Sequence, residues 1–148
     1  MADEQYMAAP TTWEKIRQFT MQIRRSIGTE NDFYFPVVHF IEFALPRLDP
    51  EFELDIVSAS DIPGNYAETR PALHHMRIRE DVYEDALADN GRARFTLAHE
   101  LGHYLMHGEG VVSLARTQSN IQVPPYARPG RQANVFAGDL LVPIPLIA

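Results

Sequence analysis

The segment Phe95-Thr-Leu-Ala-His99-Glu100-Leu-Gly-His103-Tyr-Leu-Met-His107 decides both the fold and the chemistry open to this chain. It holds the pentapeptide His-Glu-x-x-His within a run that reads as a helix. Four residues slightly exceed one helical turn, so His99 and His103 project from one face and their ring nitrogens can share one ion. Glu100 stands beside that position, where a water would lie. A Zn²⁺ ion there would lower the pKa of the water to about 7, and the carboxylate could take its proton. The expectation is a metal-dependent peptidase site, with His99 and His103 as metal ligands, Glu100 as the catalytic acid/base and Zn²⁺ as the cofactor.

Phe95, Leu97, Ala98, Leu101, Tyr104, Leu105 and Met106 surround the polar trio, the pattern of a helix buried in a domain core. Two histidines and a glutamate on such a helix need a reason, because unpaired buried polar groups are costly. The bland alternative is a pair of hydrogen-bonded core histidines with a solvent-facing glutamate. His107 continues the same face by one turn. Its angle drifts away from the ion, which suits a capping role or support behind a ligand.

The chain has 148 residues, enough for one domain that buries about 68–70% of its unfolded surface. A net charge of −7 argues against a nucleic-acid-binding face, which would be basic. Cysteine is absent, so disulfides and thiolate metal sites are excluded and any metal must use histidine, carboxylate or water. The acidic start lacks the apolar core of a secretory signal, and no apolar run reaches the length of a membrane span. The expected compartment is the cytoplasm. The apolar stretch from Leu140 to Ala148 is too short to span a bilayer.

Outward from the histidine helix, the pattern predicts an α+β domain. Residues 1–10 read as a loose tail. Thr11 or Thr12 caps a helix to about Ile27, with Trp13, Ile16, Ile23 and Ile27 towards the core and Gly28 as the stop. Pro36 opens a second helix whose end Pro46 and Pro50 limit. Phe52 to Val57 alternates as a strand, residues 60–72 form a loop or weak hairpin, and Leu73 to Arg79 alternates again. Glu80 to Leu87 suits a short helix, broken at Asp89-Asn90-Gly91. The histidine helix spans about Arg92 to His107, residues 110–130 form a loop, and a final helix covers about Arg131 to Leu141.

Two blocks, Arg94-Phe-Thr-Leu-Ala-His-Glu-Leu-Gly-His-Tyr-Leu-Met-His107 and Gln132-Ala-Asn-Val-Phe-Ala-Gly-Asp-Leu-Leu-Val-Pro143, resemble the two signature blocks of the ImmA/IrrE metallopeptidases. The resemblance covers most of residues 35–143, and Met76-Arg-Ile-Arg79 resembles the strand that family places before its metal helix. It implies a bacterial or phage protein with a zincin-like α+β fold: N-terminal helices, a small antiparallel or mixed sheet, the metal helix and a C-terminal helix. It also implies a protein partner, a helix-turn-helix repressor that is cleaved or inactivated, or a toxin–antitoxin partner.

The chain departs from that family at one position. Many members carry a third ligand, a glutamate, four residues before the Asn of the Ala-Asn pair. Asn134 puts that position at Gly130. A catalytic zinc site normally has three protein ligands, so Glu109, Asp139, a water or a partner chain are the candidates to complete it. The first reading is a zinc endopeptidase using metal-activated water and Glu100 on a protein loop or linker. The substrate would pair in extended form along the strand near His75 to Arg79, with Arg77 and Arg79 favouring acidic segments. The second reading is a catalytically impaired relative that binds its partner without hydrolysis. A third, a structural helical protein with an accidental motif, makes His99 matter for packing alone.

Overall fold

The computed structural model describes residues 12–107 and 129–142. The expected tail over 1–10, Glu109, the stretch beyond Val142 and the expected loop over 110–130, except for Pro129 and Gly130, which are helical, lie outside the described residues. The remainder is α+β, with helices packed around a three-stranded mixed sheet.

Helix α1 (Trp13–Ser26) starts where the Thr12 side chain accepts from the Lys15 N–H at 3.1 Å, and stops before Gly28, whose φ of +74° suits glycine. Ile16 and Ile23 are buried as expected. Trp13 is not: it is 54% exposed, and the Arg131 guanidinium lies 5.6 Å over its ring. At the first position of the helix its side chain faces solvent beyond the packed face.

The second helical stretch ends at Leu48, before Pro50, but it is not one uniform α-helix. It comprises α2 (Val37–His39), a π-helical turn (Phe40–Ala44) and α3 (Leu45–Leu48), which carries Pro46 in its first turn. Within the wider turn, the Leu45 N–H reaches the Phe40 carbonyl. Proline lacks an N–H and crowds the carbonyl four residues before it, and a π turn just upstream accommodates that misfit. The extra residue also rotates the apolar stripe. Phe40, Ile41 and Leu45 stay buried, while Phe43 and Leu48 turn outward.

Strands β1 (Glu53–Val57), β2 (Ala67–Arg70) and β3 (His75–Arg79) form a sheet in the order β1-β3-β2. β1 runs parallel to β3 with Leu54 opposite Met76; β2 runs antiparallel with Thr69 opposite Met76. Met76 and Ile78 are buried, as the alternation of β3 requires. β3 is therefore the central strand with both edges occupied, and it is not the edge proposed for an extended substrate. Among the described residues β2 is the edge on that side. Arg77 and Arg79 are also committed: Arg77 donates to the Asp61 carbonyl and lies 3.8 Å from Glu68, and Arg79 pairs with Asp81 at 2.6 Å.

His74 does not belong to β3. It closes the 3-10 turn Pro71–Leu73 in the left-handed region at φ +54°, a conformation uncommon outside glycine. Its ring nitrogens hold it there, Nδ1 against Asp49 at 2.6 Å and Nε2 against Glu51 at 3.0 Å.

Helix α4 (Glu80–Leu87) ends at Asp89, whose φ is +63°, and Asn90 then caps α5 (Gly91–Met106) by accepting from the Ala93 N–H at 3.0 Å. The last helix, α6 (Pro129–Leu141), packs extensively on α5 and also on α1. The core gathers Ile16, Phe40, Leu45, Met76, Leu97, Leu101, Phe136 and Leu140 from helices and the central strand. Gly102 marks the α5–α6 crossing: a Cβ there would lie 2.8 Å from the Phe136 ring. No helix among the described residues is long and apolar enough to cross a membrane.

Candidate metal centre

The Asn90 cap and the apolar stripe of Ala93, Leu97, Ala98 and Leu101 fix the rotation of α5 in the core. That rotation brings His99 and His103 together. Their Nε2 atoms face each other 3.0 Å apart, with ring planes at 83°. Two nitrogens held about 2.0–2.1 Å from a tetrahedral zinc are separated by roughly 3.3 Å, so the observed pair is close to a bidentate grip. Histidine nitrogens and a carboxylate form a donor set that suits zinc.

Glu100 completes a trio with the two rings. One atom from each residue lies within 4.8 Å of the others. Thr69 on β2 donates to Glu100 Oε1 at 2.7 Å and thereby fixes one carboxylate oxygen. Sequence reasoning passed over Thr69, because β2 is four residues long and lacks a clear apolar alternation.

Both imidazoles are held from behind. His99 Nδ1 lies 2.8 Å from Asn134 Oδ1 on α6. His103 Nδ1 lies 2.8 Å from His107 Nδ1, and His107 Nε2 lies 3.0 Å from Gln132 Oε1. His107 thus sits behind His103, on the side away from His99, as its angular drift along the helix requires.

The other candidates for a third ligand fall differently. Gly130 is buried in the first turn of α6 and supplies no donor. Asp139 does not join the histidine trio. It is buried near Arg17 of α1, burial raises its pKa against the smaller opposing pull of Arg17, and its Oδ2 has no hydrogen-bond partner among the described residues.

A second group, Asp49, Glu51 and His74, also brings donor atoms within 4.8 Å of one another. His74 occupies it by bridging the two carboxylates. The Asp49 carboxyl is held below the usual carboxylate range by its hydrogen bonds with His74 and then Tyr104. Tyr104, next to His103 on α5, donates to that carboxylate, and burial first and this bond second push its hydroxyl pKa upward. His75 pairs with Asp55 at 2.7 Å on the outer face of the sheet. Neither histidine joins the α5 pair.

No curated protein and no solved structure matches the chain. One family model does: the IrrE N-terminal-like domain, a peptidase family, matches residues 57–147. That span holds β2 and β3, the paired histidines on α5 and the helix that supports them, and the chain belongs to the ImmA/IrrE metallopeptidase family.

Proposed function

We propose that the protein is a zinc-dependent endopeptidase that acts in the cytoplasm on a helix-turn-helix repressor-like partner, in a zincin-like fold. The 3.0 Å approach of His99 Nε2 to His103 Nε2 carries this reading. When both rings carry their proton on Nδ1, facing Asn134 and His107, the two Nε2 lone pairs point at each other, an arrangement that a shared cation relieves. The resident ion would be held by His99 and His103, and when bound it supplies Lewis acidity and lowers the pKa of a water to about 7.

The chain's own groups do the rest. Glu100 takes a proton from the attacking water and delivers it to the departing amide nitrogen. Thr69 keeps the carboxylate turned towards that water. An extended substrate pairs with β2, the sheet edge among the described residues, which places its scissile carbonyl beside Glu100 through main-chain hydrogen bonds. The test is elemental analysis of protein purified without chelator. About one zinc per chain that is lost in both His99→Ala and His103→Ala supports the reading; a metal-free wild type that takes up no added zinc overturns it.

A second reading has its own observation. Gly130 is buried where many relatives carry their third ligand, so the site offers fewer protein donors than a catalytic zinc normally has. On this reading the protein is a catalytically impaired relative that binds a repressor or toxin–antitoxin partner and leaves it intact. Partner capture with no cleavage by zinc-loaded protein selects it.

A further inference from the structure

We propose that His107 and Gln132 are positioning residues, a buried two-link chain through which α6 decides which nitrogen of His103 carries the proton. The proposal rests on reading His99 and His103 as metal ligands, and it concerns the step before any ion arrives.

His107 follows the last residue of α5. Its backbone has left the helical region, yet its N–H still bonds the His103 carbonyl at 3.0 Å. That bond keeps its ring beneath the helix, where it is 1% exposed, beside Gln132 at 4% and His103 at 4%. A buried imidazole is costly unless its nitrogens are paired, and here Nδ1 meets His103 Nδ1 while Nε2 meets Gln132 Oε1.

The direction of each bond follows from Gln132. Its Oε1 can only accept, so His107 Nε2 donates. A neutral imidazole has one N–H, which leaves His107 Nδ1 as an acceptor. His103 Nδ1 must then donate, and its own lone pair is directed through Nε2 at His99. Ligation of a divalent ion needs that tautomer. On the other ring the Asn134 carboxamide oxygen does the same for His99 in one step.

A reversed Gln132 carboxamide would invert the chain. Its NH₂ would make His107 Nε2 an acceptor and Nδ1 a donor. The His103 proton would move to Nε2, where it blocks the ion. Metal-bound histidines are commonly oriented by a carboxylate or a backbone carbonyl. Here a neutral imidazole does it, so the ligand's tautomer depends on how an amide on another helix is oriented.

The test uses zinc alone as the probe, with nitrogen-15 NMR of the imidazoles in metal-free protein and zinc affinity from competition with a chromophoric chelator. Wild type is expected to show N–H at Nδ1 of His103 and at Nε2 of His107. Gln132→Leu and His107→Leu are expected to weaken zinc binding about 10- to 100-fold and to let His103 populate both tautomers. Gln132→Glu, which keeps an acceptor, is expected to preserve the wild-type tautomer and most of the affinity. If either Leu variant is poorly folded, the Gln132→Glu comparison and the wild-type spectrum still decide. An Nε2–H tautomer at His103 in wild type, or a folded Gln132→Leu with unchanged tautomer and affinity, overturns the proposal. A wild type that shows the expected tautomers but binds no zinc removes the metal-site reading and leaves the proton chain standing.

Discussion

Gly102 lies against Phe136 so closely that even a methyl group cannot be added without moving the ring: an ideal Cβ would sit 2.8 Å from Cδ1 and 3.1 Å from Cγ. The contact brings α5 and α6 near enough for Asn134 and Gln132 to reach the histidines. Gly102→Ala should therefore act twice. Overpacking typically costs about 1–3 kcal/mol, read as a lower urea midpoint. Zinc affinity should fall as well, because α6 is pushed away from the rings it holds. A variant with wild-type stability and wild-type zinc affinity would show that the crossing has slack.

Glu100 and Thr69 should separate proton transfer from metal binding. Glu100→Gln is expected to retain zinc and to lose cleavage of the partner protein by at least the 10²- to 10⁴-fold typical of a general base. Undiminished proteolysis by Glu100→Gln would take the carboxylate out of the mechanism. Thr69→Val removes the hydroxyl that donates to Oε1 and should lower kcat with little change in zinc content, while Thr69→Ser restores it.

Arg24 is fully buried, and its guanidinium donates to the carbonyls of Leu140, Thr29, Asp32 and Phe33. Arg24→Met should destabilise the fold by about 1–3 kcal/mol, because it leaves the buried Leu140 carbonyl unpaired and releases three part-buried ones to water. Chemical denaturation measures this directly. Arg24→Lys should recover only part of the loss, since an ammonium cannot reproduce the planar fork.

Asp139 should behave in the opposite sense. Burial raises its pKa, so the native state holds its proton more tightly than the unfolded chain. Its contribution to stability is then most favourable at acid pH and is lost as pH rises through the folded-state value. Asp139→Asn should raise Tm at pH 7, at about 2–4 °C for each kcal/mol in a chain of this size, with a smaller or reversed effect near pH 4. A lower Tm at pH 7 would mean that the pull of Arg17 outweighs the burial cost.

Much of this arrangement is written locally in the sequence. The Asp89-Asn90-Gly91 break, the apolar stripe from Ala93 to Leu101 and the alternation of Met76 and Ile78 each act within a few residues, and the expected elements there agree with the structure. The pairing of His99 with His103 follows from helical spacing alone. What stayed hidden depends on partners distant in the chain. Strand order arises from pairing across loops, so nothing within His75–Arg79 told that both its edges would be covered. Pro46 and Pro50 limit the helix by their local rule, but the π turn just before Pro46, where Phe40 and Ile41 lie in the core, has no local signal. Gln132 opens the second signature block, but nothing in that block says which side chain it meets. Only the approach of α6 to α5, which Gly102 allows, gives it a histidine to hold.

The span shared with the family begins at residue 57, but Arg24 binds the last turn of α6 from outside that span, and Phe19 packs its ring 5.9 Å from Phe136. Phe35, Val37, Phe40, Ile41 and Leu45 fill the same core. A fragment trimmed to the shared portion would present that apolar interior to water, so the border drawn by kinship falls inside one cooperative unit.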